Sequence, residues 1–429
     1  MKIHELYITG YKNIHETRIK FLAPITLIVS GNNFGKTILL NGIKKGFSFL
    51  RDGSANAADY INQKDYLNKF GASDKFTFEI TFSECKPNDE TVYCYRYAID
   101  RMDNSEQWGI TEELLKKIDN VNGKEVILLE RNCDKPLTSH LHSYVKDSEE
   151  VFYLSEGSSE LFIRAFCESP RTDGDAFWVD YKETLNEVRN AFRSLTKYSV
   201  GDILIDEDTD CKGFTLVAKE LNDMKINDND NFIYFVTSFT SLFPRYTKLD
   251  VRFEQPERPY LEFERDDSET PETIDTLSYG TRRILKLLFS IMVHKEPLVS
   301  IEDLETGIHP MLFVNVVNKV SEMLTKKYDG HNSPRLIVTT HSTSFINMFA
   351  RYNNFVQQLD SVYIGLDGYL RDNDDSGVKS RFVKIRDDKK EVLSERIDEL
   401  DGMFGFGDIM YGYGEDEELA KELRSWFEK

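Results

Sequence analysis

The spacing of hydrophobic residues changes along the chain, and each change marks an element. Residues 2–9 and 16–29 alternate or run apolar and predict strands, with a turn over Gly10 to His15. Ile25 to Val29 is an apolar run interrupted only by Thr26 and reads as a buried strand. After Thr37 the residues Leu39, Leu40, Ile43, Phe47 and Leu50 recur at helical spacing and predict a helix lying on the sheet. Arg51 to Tyr66 is rich in Gly, Ser, Ala and Asn and reads as a mobile loop. Phe76 to Phe82 and Val92 to Ile99 are aromatic and β-branched, predicting strands joined by the turn Lys86-Pro87-Asn88-Asp89. Residues 110–131 predict a short helix and then a strand, Val126 to Leu129.

The middle of the chain is more helical. Val179, Leu185, Val188, Phe192 and Leu195 mark one amphipathic helix, and Phe232 to Phe243 a second apolar run. Between them, residues 201–219 predict a hairpin around the acidic turn Asp206 to Asp210. Asp228 and Asp230 lack the Gly and the bidentate Glu of a calcium loop and read as a helix-capping cluster. Residues 249–264 predict a hairpin turning at Gln255 to Pro259. Near the end, Val362 to Leu366 and Arg381 to Ile385 predict strands, accompanied by two short helices. Met403 to Tyr413 is an aromatic, glycine-rich piece suited to core packing or to docking. The chain shows no internal repeat and no heptad run long enough for a coiled-coil arm.

Composition narrows the class. The 429 residues, 40% hydrophobic and 30% charged, suit a soluble protein of two or three lobes. No run of eighteen apolar residues predicts a membrane span. The opening MKIHELYITG reads as a strand rather than a signal peptide. The five cysteines (Cys85, Cys94, Cys133, Cys167, Cys211) form no CxxC, so a reducing cytoplasm is expected. The net charge of −20 is uneven: residues 1–51 carry eight Lys/Arg against Glu5 and Glu16, or +6, leaving −26 for the remainder (−20 − 6). An acidic bulk of that size repels nucleic acid unless a local basic strip faces it.

The chemistry gathers around Ile25 to Thr37. There an apolar strand breaks at Ser30-Gly31 and a helix begins after Gly35-Lys36-Thr37. Ser30, Gly31, Asn32, Asn33, Phe34, Gly35, Lys36 and Thr37 match a phosphate-binding loop with Ser in place of the first Gly. Helix-start N–H groups converge on phosphate, and the helix dipole favours its charge. Lys36 is expected to reach the β- and γ-phosphates of ATP, and Thr37 to hold Mg²⁺. Four later stretches fit the same ligand. Leu277-Ser278-Tyr279-Gly280-Thr281 opens the helix Ile284 to Val293 with a hydroxyl and free N–H groups. The strand from Pro297 to Ile301 ends in Glu302-Asp303, one carboxylate for the metal and one to polarise an attacking water. Glu305-Thr306-Gly307-Ile308-His309-Pro310 leads into the helix Leu312 to Leu324. Leu336 to Thr340 is a strand ending at His341-Ser342, where a His can sense a γ-phosphate. Strand ends on one edge of an open α/β sheet converge on a ligand crevice.

With those residues in view, the chain resembles ABC-type ATPase heads of the RecF/SMC/OLD class, close to bacterial AAA-type ATPases of anti-phage systems. Ile3 to Ile14 resembles their opening strand and "F-K-N" turn, Ser30 to Thr37 their Walker A, and Leu277 to Gly280 their signature. Ile301 to Pro310 resembles their Walker B and "G-L-H-P" loop, and His341 their switch histidine. The resemblance covers roughly residues 1–100 and 249–350. It implies an α/β ABC-ATPase head, a P-loop sheet with an antiparallel β lobe. The expected divisions are 1–130 and 249–350 for the two parts of the head, 131–248 for an inserted mostly helical region, and 351–429 for an αβ extension. It also implies an ATP-sandwich homodimer, with assemblies of several dimers open. Lys36, Thr37 and Glu302 of one copy would hold the Mg²⁺ nucleotide under Ser278 and Gly280 of the other. Asp303 takes the catalytic position, His341 the γ-phosphate sensor, and Lys12 a nucleotide contact.

Three departures from the family pattern matter: Ser30, Phe34, and the reversed order Glu302-Asp303. A carboxylate shorter by a methylene predicts slow hydrolysis, since a misplacement near ~1 Å can cost about a hundredfold in rate. No Q-loop glutamine stands out between Gln63 and Gln107. Some relatives carry a C-terminal nuclease. Here only 88 residues follow His341 (429 − 341), with Asp372, Asp374 and Asp375 in a polar loop, so no built-in nuclease is expected. The expected role is a sensor-scaffold controlling a separate effector, a nuclease or toxin, in response to a phage trigger. The alternative is a RecF/SMC-like repair or clamp ATPase on DNA.

Overall fold

The structure is a computed structural model that describes residues 1–30, 34–52, 75–84, 91–101, 108–118, 123–131, 138–143, 148–153, 161, 163–164, 176–196, 200–202, 211–255, 258–292, 297–325, 334–342, 345–346, 361–368, 379–390 and 426. Its strands are β1 (Lys2–Thr9), β2 (Thr17–Lys20), β3 (Ile25–Val29), β4 (Phe76–Ser83), β5 (Val92–Arg101), β6 (Trp108–Ile118), β7 (Glu125–Arg131), β8 (Thr138–Ser143) and β9 (Ser148–Tyr153). They continue with β10 (Val200–Asp202), β11 (Tyr246–Gln255), β12 (Arg258–Arg265), β13 (Glu272–Thr273), β14 (Leu298–Ile301), β15 (Arg335–Thr340), β16 (Val362–Gly368) and β17 (Lys379–Lys384). The helices are α1 (Lys36–Asp52), α2 (Ala176–Thr196), α3 (Cys211–Asn227), α4 (Asn229–Leu242), α5 (Tyr279–Met292) and α6 (Pro310–Thr325).

Three sheets organise these elements. An antiparallel sheet runs β2-β1-β4-β5-β6-β7-β8-β9, and a small one runs β11-β12-β13. The central sheet runs β10-β14-β15-β3-β16-β17, parallel from β10 through β16 and closed by antiparallel β17. All five residues of β3 are buried, as a central parallel strand requires. Its side chains divide between two cores. Ile25, Leu27 and Val29 join α3 to α6 and the small sheet on one face, while Ile28 joins α1, α2 and the antiparallel sheet on the other. Helix α1 lies close on the antiparallel sheet because Gly46 has no side chain. A Cβ there would stand 2.3 Å from the Phe78 ring.

Several sequence expectations change. Residues 16–29 are two strands, because the chain crosses from the antiparallel sheet to the central one between them. The predicted helix near residue 110 is strand β6. Thr111, Glu113 and Leu115 are buried in alternation, and its neighbours β5 and β7 pair along it. The doublets Glu-Glu-Leu-Leu-Lys-Lys hid that alternation, since one inward position holds a glutamate. Glu113 is buried and accepts hydrogen bonds from Tyr95 Oη (2.9 Å) and Ile163 N (2.8 Å). The predicted hairpin at 201–219 is instead β10 followed by α3, whose Phe214, Val217, Ala218 and Leu221 pack inward at helical spacing. Asp228 caps α4, its carboxylate accepting from Asn231 N. The loop at 53–66, the acidic turn Asp206 to Asp210, Gln63, Gln107, Asp372, Asp374, Asp375 and Met403 to Tyr413 lie outside the described residues. No described helix is long and apolar enough to cross a membrane.

Candidate functional site

The parallel register sets β14, β15 and β3 side by side, pairing Ile301 with Val338 and Thr340 with Val29. The chain therefore leaves three adjacent strand ends, at Ser30, Glu302 and His341. Such a row of carboxyl ends is where open α/β sheets bind ligands.

At the first of these ends, Gly35 has φ +90 and its carbonyl accepts from Leu39 N (2.8 Å) as α1 begins. Only glycine takes that backbone conformation without strain. The position is also tight, since a Cβ would lie 3.2 Å from both amide atoms of Asn13. Lys36 is buried and donates from Nζ to the Ser30 carbonyl (2.8 Å). Burial pushes its pKa below the ordinary lysine value, while Asp303, Glu305 and Glu302 pull the other way. Thr37 is exposed at the second residue of α1, and Phe34 is half-buried. Gly31, Asn32 and Asn33 lie outside the described residues.

The second and third ends are stitched together. Asp303 N donates to Thr339 Oγ1 (3.1 Å), and Thr340 Oγ1 donates to Glu305 Oε1 (2.7 Å). The His341 backbone N donates to the same Glu305 oxygen (3.3 Å). Its ring Nδ1 lies 3.3 Å from Asp303 Oδ1 and 3.7 Å from Glu305 Oε1. Asp303 holds φ +41, a costly conformation for a non-glycine residue and one that concentrates at functional sites. Asp303, Glu305 and His341 each offer one ligand atom, all within 4.8 Å of one another. Oxygen donors on Thr37 and Glu302 suit Mg²⁺, and an ammonium shielded from water suits a triphosphate, so these residues fit the group that the loop implies.

The remaining predicted residues stand on neighbouring elements. Lys12 has φ +50 in the turn after β1, with Nζ 5.9 Å above the Tyr11 ring. Asn13 beside it faces Gly35 and donates from Nδ2 to Ser380 Oγ (2.9 Å). Ser278 is exposed and caps α5, accepting from Thr281 N (3.2 Å). Gly280 is pressed on the turn that follows β14, where a Cβ would meet the Gly307 carbonyl oxygen at 2.0 Å. Thus Lys36 shares one electrostatic environment with Glu302, Asp303 and Glu305, and His341 joins that cluster, whereas Ser278 makes its hydrogen bonds within its own helix start. Sequence reasoning gave no role to Glu305, Thr340 or Asn13. A third acid two residues beyond Asp303 was the available signal for the first.

Among curated proteins none matches this chain. Two solved structures are similar to it at 14% identity. One is an SMC head bound to the C-terminal winged-helix domain of ScpA, at TM-score 0.47, covering 91% of this chain and 99% of that one. The other is the SMC head domain from Thermotoga maritima, at TM-score 0.40, covering 90% and 100%. A family model matches residues 25–347, a span that takes in β3, the start of α1 and the ends of β14 and β15. The chain belongs to that family, described as "AAA domain, putative AbiEii toxin, Type IV TA system".

Proposed function

We propose that this chain binds ATP with Mg²⁺ in the cleft at the ends of β3, β14 and β15, hydrolyses it slowly, and uses it to join two copies head to head. The observation that carries the reading is Lys36. It opens a helix just after a glycine at positive φ, is buried, and feels the charge of three carboxylates. A desolvated cation there gains most when a phosphate group arrives.

In this reading Lys36 takes the β- and γ-phosphates, and the loop from Ser30 to Gly35 cradles them with backbone N–H groups. Thr37 and Glu302 hold the magnesium ion, which supplies charge neutralisation at the phosphate oxygens. Asp303 orients and polarises the attacking water, His341 stands at the γ-phosphate, and Lys12 lies at the rim. Ser278 and Gly280, at the start of α5, cover the triphosphate of the partner copy. Slow turnover follows from Asp303, shorter by a methylene and held at positive φ. Family membership supports the further step, that nucleotide state governs a separate effector, a nuclease or toxin, in anti-phage defence.

The test is the mass of the purified protein in solution with and without ATP, beside Lys36→Ala. The wild type should move to a dimer or a multiple of dimers on adding ATP, and Lys36→Ala should not. A wild-type mass indifferent to ATP would defeat the dimer reading. A salt-dependent shift of duplex DNA would instead favour a clamp.

A further inference from the structure

The two loops that leave β14 and β15 meet through one side chain that the proposed mechanism does not use. Glu305 lies within the tight turn in which Thr306 N donates to the Asp303 carbonyl (2.9 Å). Its Oε1 accepts from Thr340 Oγ1 and from the His341 backbone N–H. Thr340 Oγ1 in turn accepts from Ser342 N (3.0 Å), so the same hydroxyl fixes the chain beyond His341. The other oxygen, Oε2, is closed to solvent and has no partner among the described residues. Glu305 thus has one bonded oxygen and one spare, and the bonded one spans two strands that are neighbours in the sheet but distant in sequence.

We propose that Glu305 is a positioning residue, fastening the Thr340-His341 strand end to the turn from Asp303 to Gly307 and so fixing His341 and Asp303 relative to Lys36. The inference rests on the reading of this cleft as an ATP site. It assigns Glu305 an acceptor's role, not a proton-transfer role. Without the acceptor, the His341 backbone loses its tie and the imidazole is free to leave the Asp303 carboxylate. Binding of ATP, which depends on Lys36 and its loop on a different strand, would be spared. The chemical step would suffer, because about 1 Å of misplacement can cost on the order of a hundredfold in rate.

The experiment compares wild type, Glu305→Ala, Glu305→Gln and Thr340→Val for ATP affinity by calorimetry and for hydrolysis in a single turnover. Glu305→Ala and Thr340→Val should slow the single turnover by roughly a hundredfold at unchanged affinity. Glu305→Gln keeps a side-chain oxygen as acceptor and should restore most of the rate. If Glu305→Ala does not fold, Thr340→Val and Glu305→Gln decide the matter by themselves. Glu305→Gln as slow as the broken latch would overturn the proposal, since the charge rather than the acceptor would then matter. So would Glu305→Ala or Thr340→Val turning over like wild type, or losing affinity in step with rate. A wild type that binds no ATP would overturn the nucleotide reading and this inference with it, whereas a hydrolysing wild type matched by Glu305→Ala would overturn this inference alone.

Discussion

Replacing Gly280 by alanine tests whether the start of α5 and the acidic turn behave as one rigid contact. The new methyl would lie 2.0 Å from the Gly307 carbonyl oxygen and 2.8 Å from its carbon, where real Cβ contacts essentially never fall under 3.0 Å. Both atoms are backbone, so no side chain can swing aside. The turn must retreat by at least 1.0 Å (3.0 − 2.0) or the helix start must lift away. Overpacking of this kind costs about 1–3 kcal/mol. The same turn carries Asp303 and Glu305, and a displacement near ~1 Å is enough for about a hundredfold loss in rate. Gly280→Ala should therefore melt a few degrees below wild type and hydrolyse ATP about a hundredfold more slowly. Affinity of the isolated subunit for ATP should be unchanged. Gly123→Ala supplies the control. Its φ of +67 makes alanine strained, about 1–2 kcal/mol, yet a Cβ there meets nothing within 4 Å. It should lose stability and keep its turnover. Thermal melts paired with single-turnover assays separate the outcomes. Gly280→Ala hydrolysing at the wild-type rate, or Gly123→Ala slowed as much, would refute the reasoning.

Other outcomes follow from the same geometry. Glu113→Ala would leave buried Arg131 without the carboxylate whose charge it feels, and Tyr95 and Ile163 without their acceptor. Denaturant unfolding should register a loss of about 3–5 kcal/mol, with no change in ATP affinity if the protein folds. Lys36 should give ATP binding an alkaline limit. Burial lowers its pKa, so it sheds its proton below the ordinary lysine value of about 10.4, and only the charged form attracts phosphate. Affinity should be retained at neutral pH and weaken as pH rises through the lowered value. In Lys36→Arg, any residual binding should lack that limit. Calorimetry across pH 7 to pH 10 would read the difference, and a flat profile for wild type would contradict it.

The readable parts of the sequence were those where one local signal settled the structure. Val29 to Thr37 announced itself because a buried strand, a turn glycine and a helical period stand in direct succession. The ends of β14 and β15 were legible for a similar reason, an apolar run closing on acids in one and on Thr, His and Ser in the other. Strand β6 was not legible, because its alternation includes a buried glutamate that Tyr95, Ile163 and Arg131, all distant in sequence, make tolerable. Helix α3 was hidden by the acidic residues just before it, whose turn character overshadowed the helical spacing of Phe214, Val217 and Leu221. Glu305 went unassigned because its work depends on Thr340, which is a neighbour only once β14 and β15 are paired. Pairings between distant segments have no local trace in composition or period.

The place of β3 has a consequence for biogenesis. This strand ends at Val29, yet both strands flanking it, β15 and β16, are made more than 300 residues later. At elongation speeds of about 5–20 residues per second, the nascent chain waits roughly 15–60 s with both edges of this mostly apolar strand open. Open strand edges invite mispairing. The cleft at the ends of β3, β14 and β15 is thus among the last features to be completed, though the glycine turn before α1 is translated early, and a ribosome stalled before residue 335 would hold a chain in which that cleft cannot form.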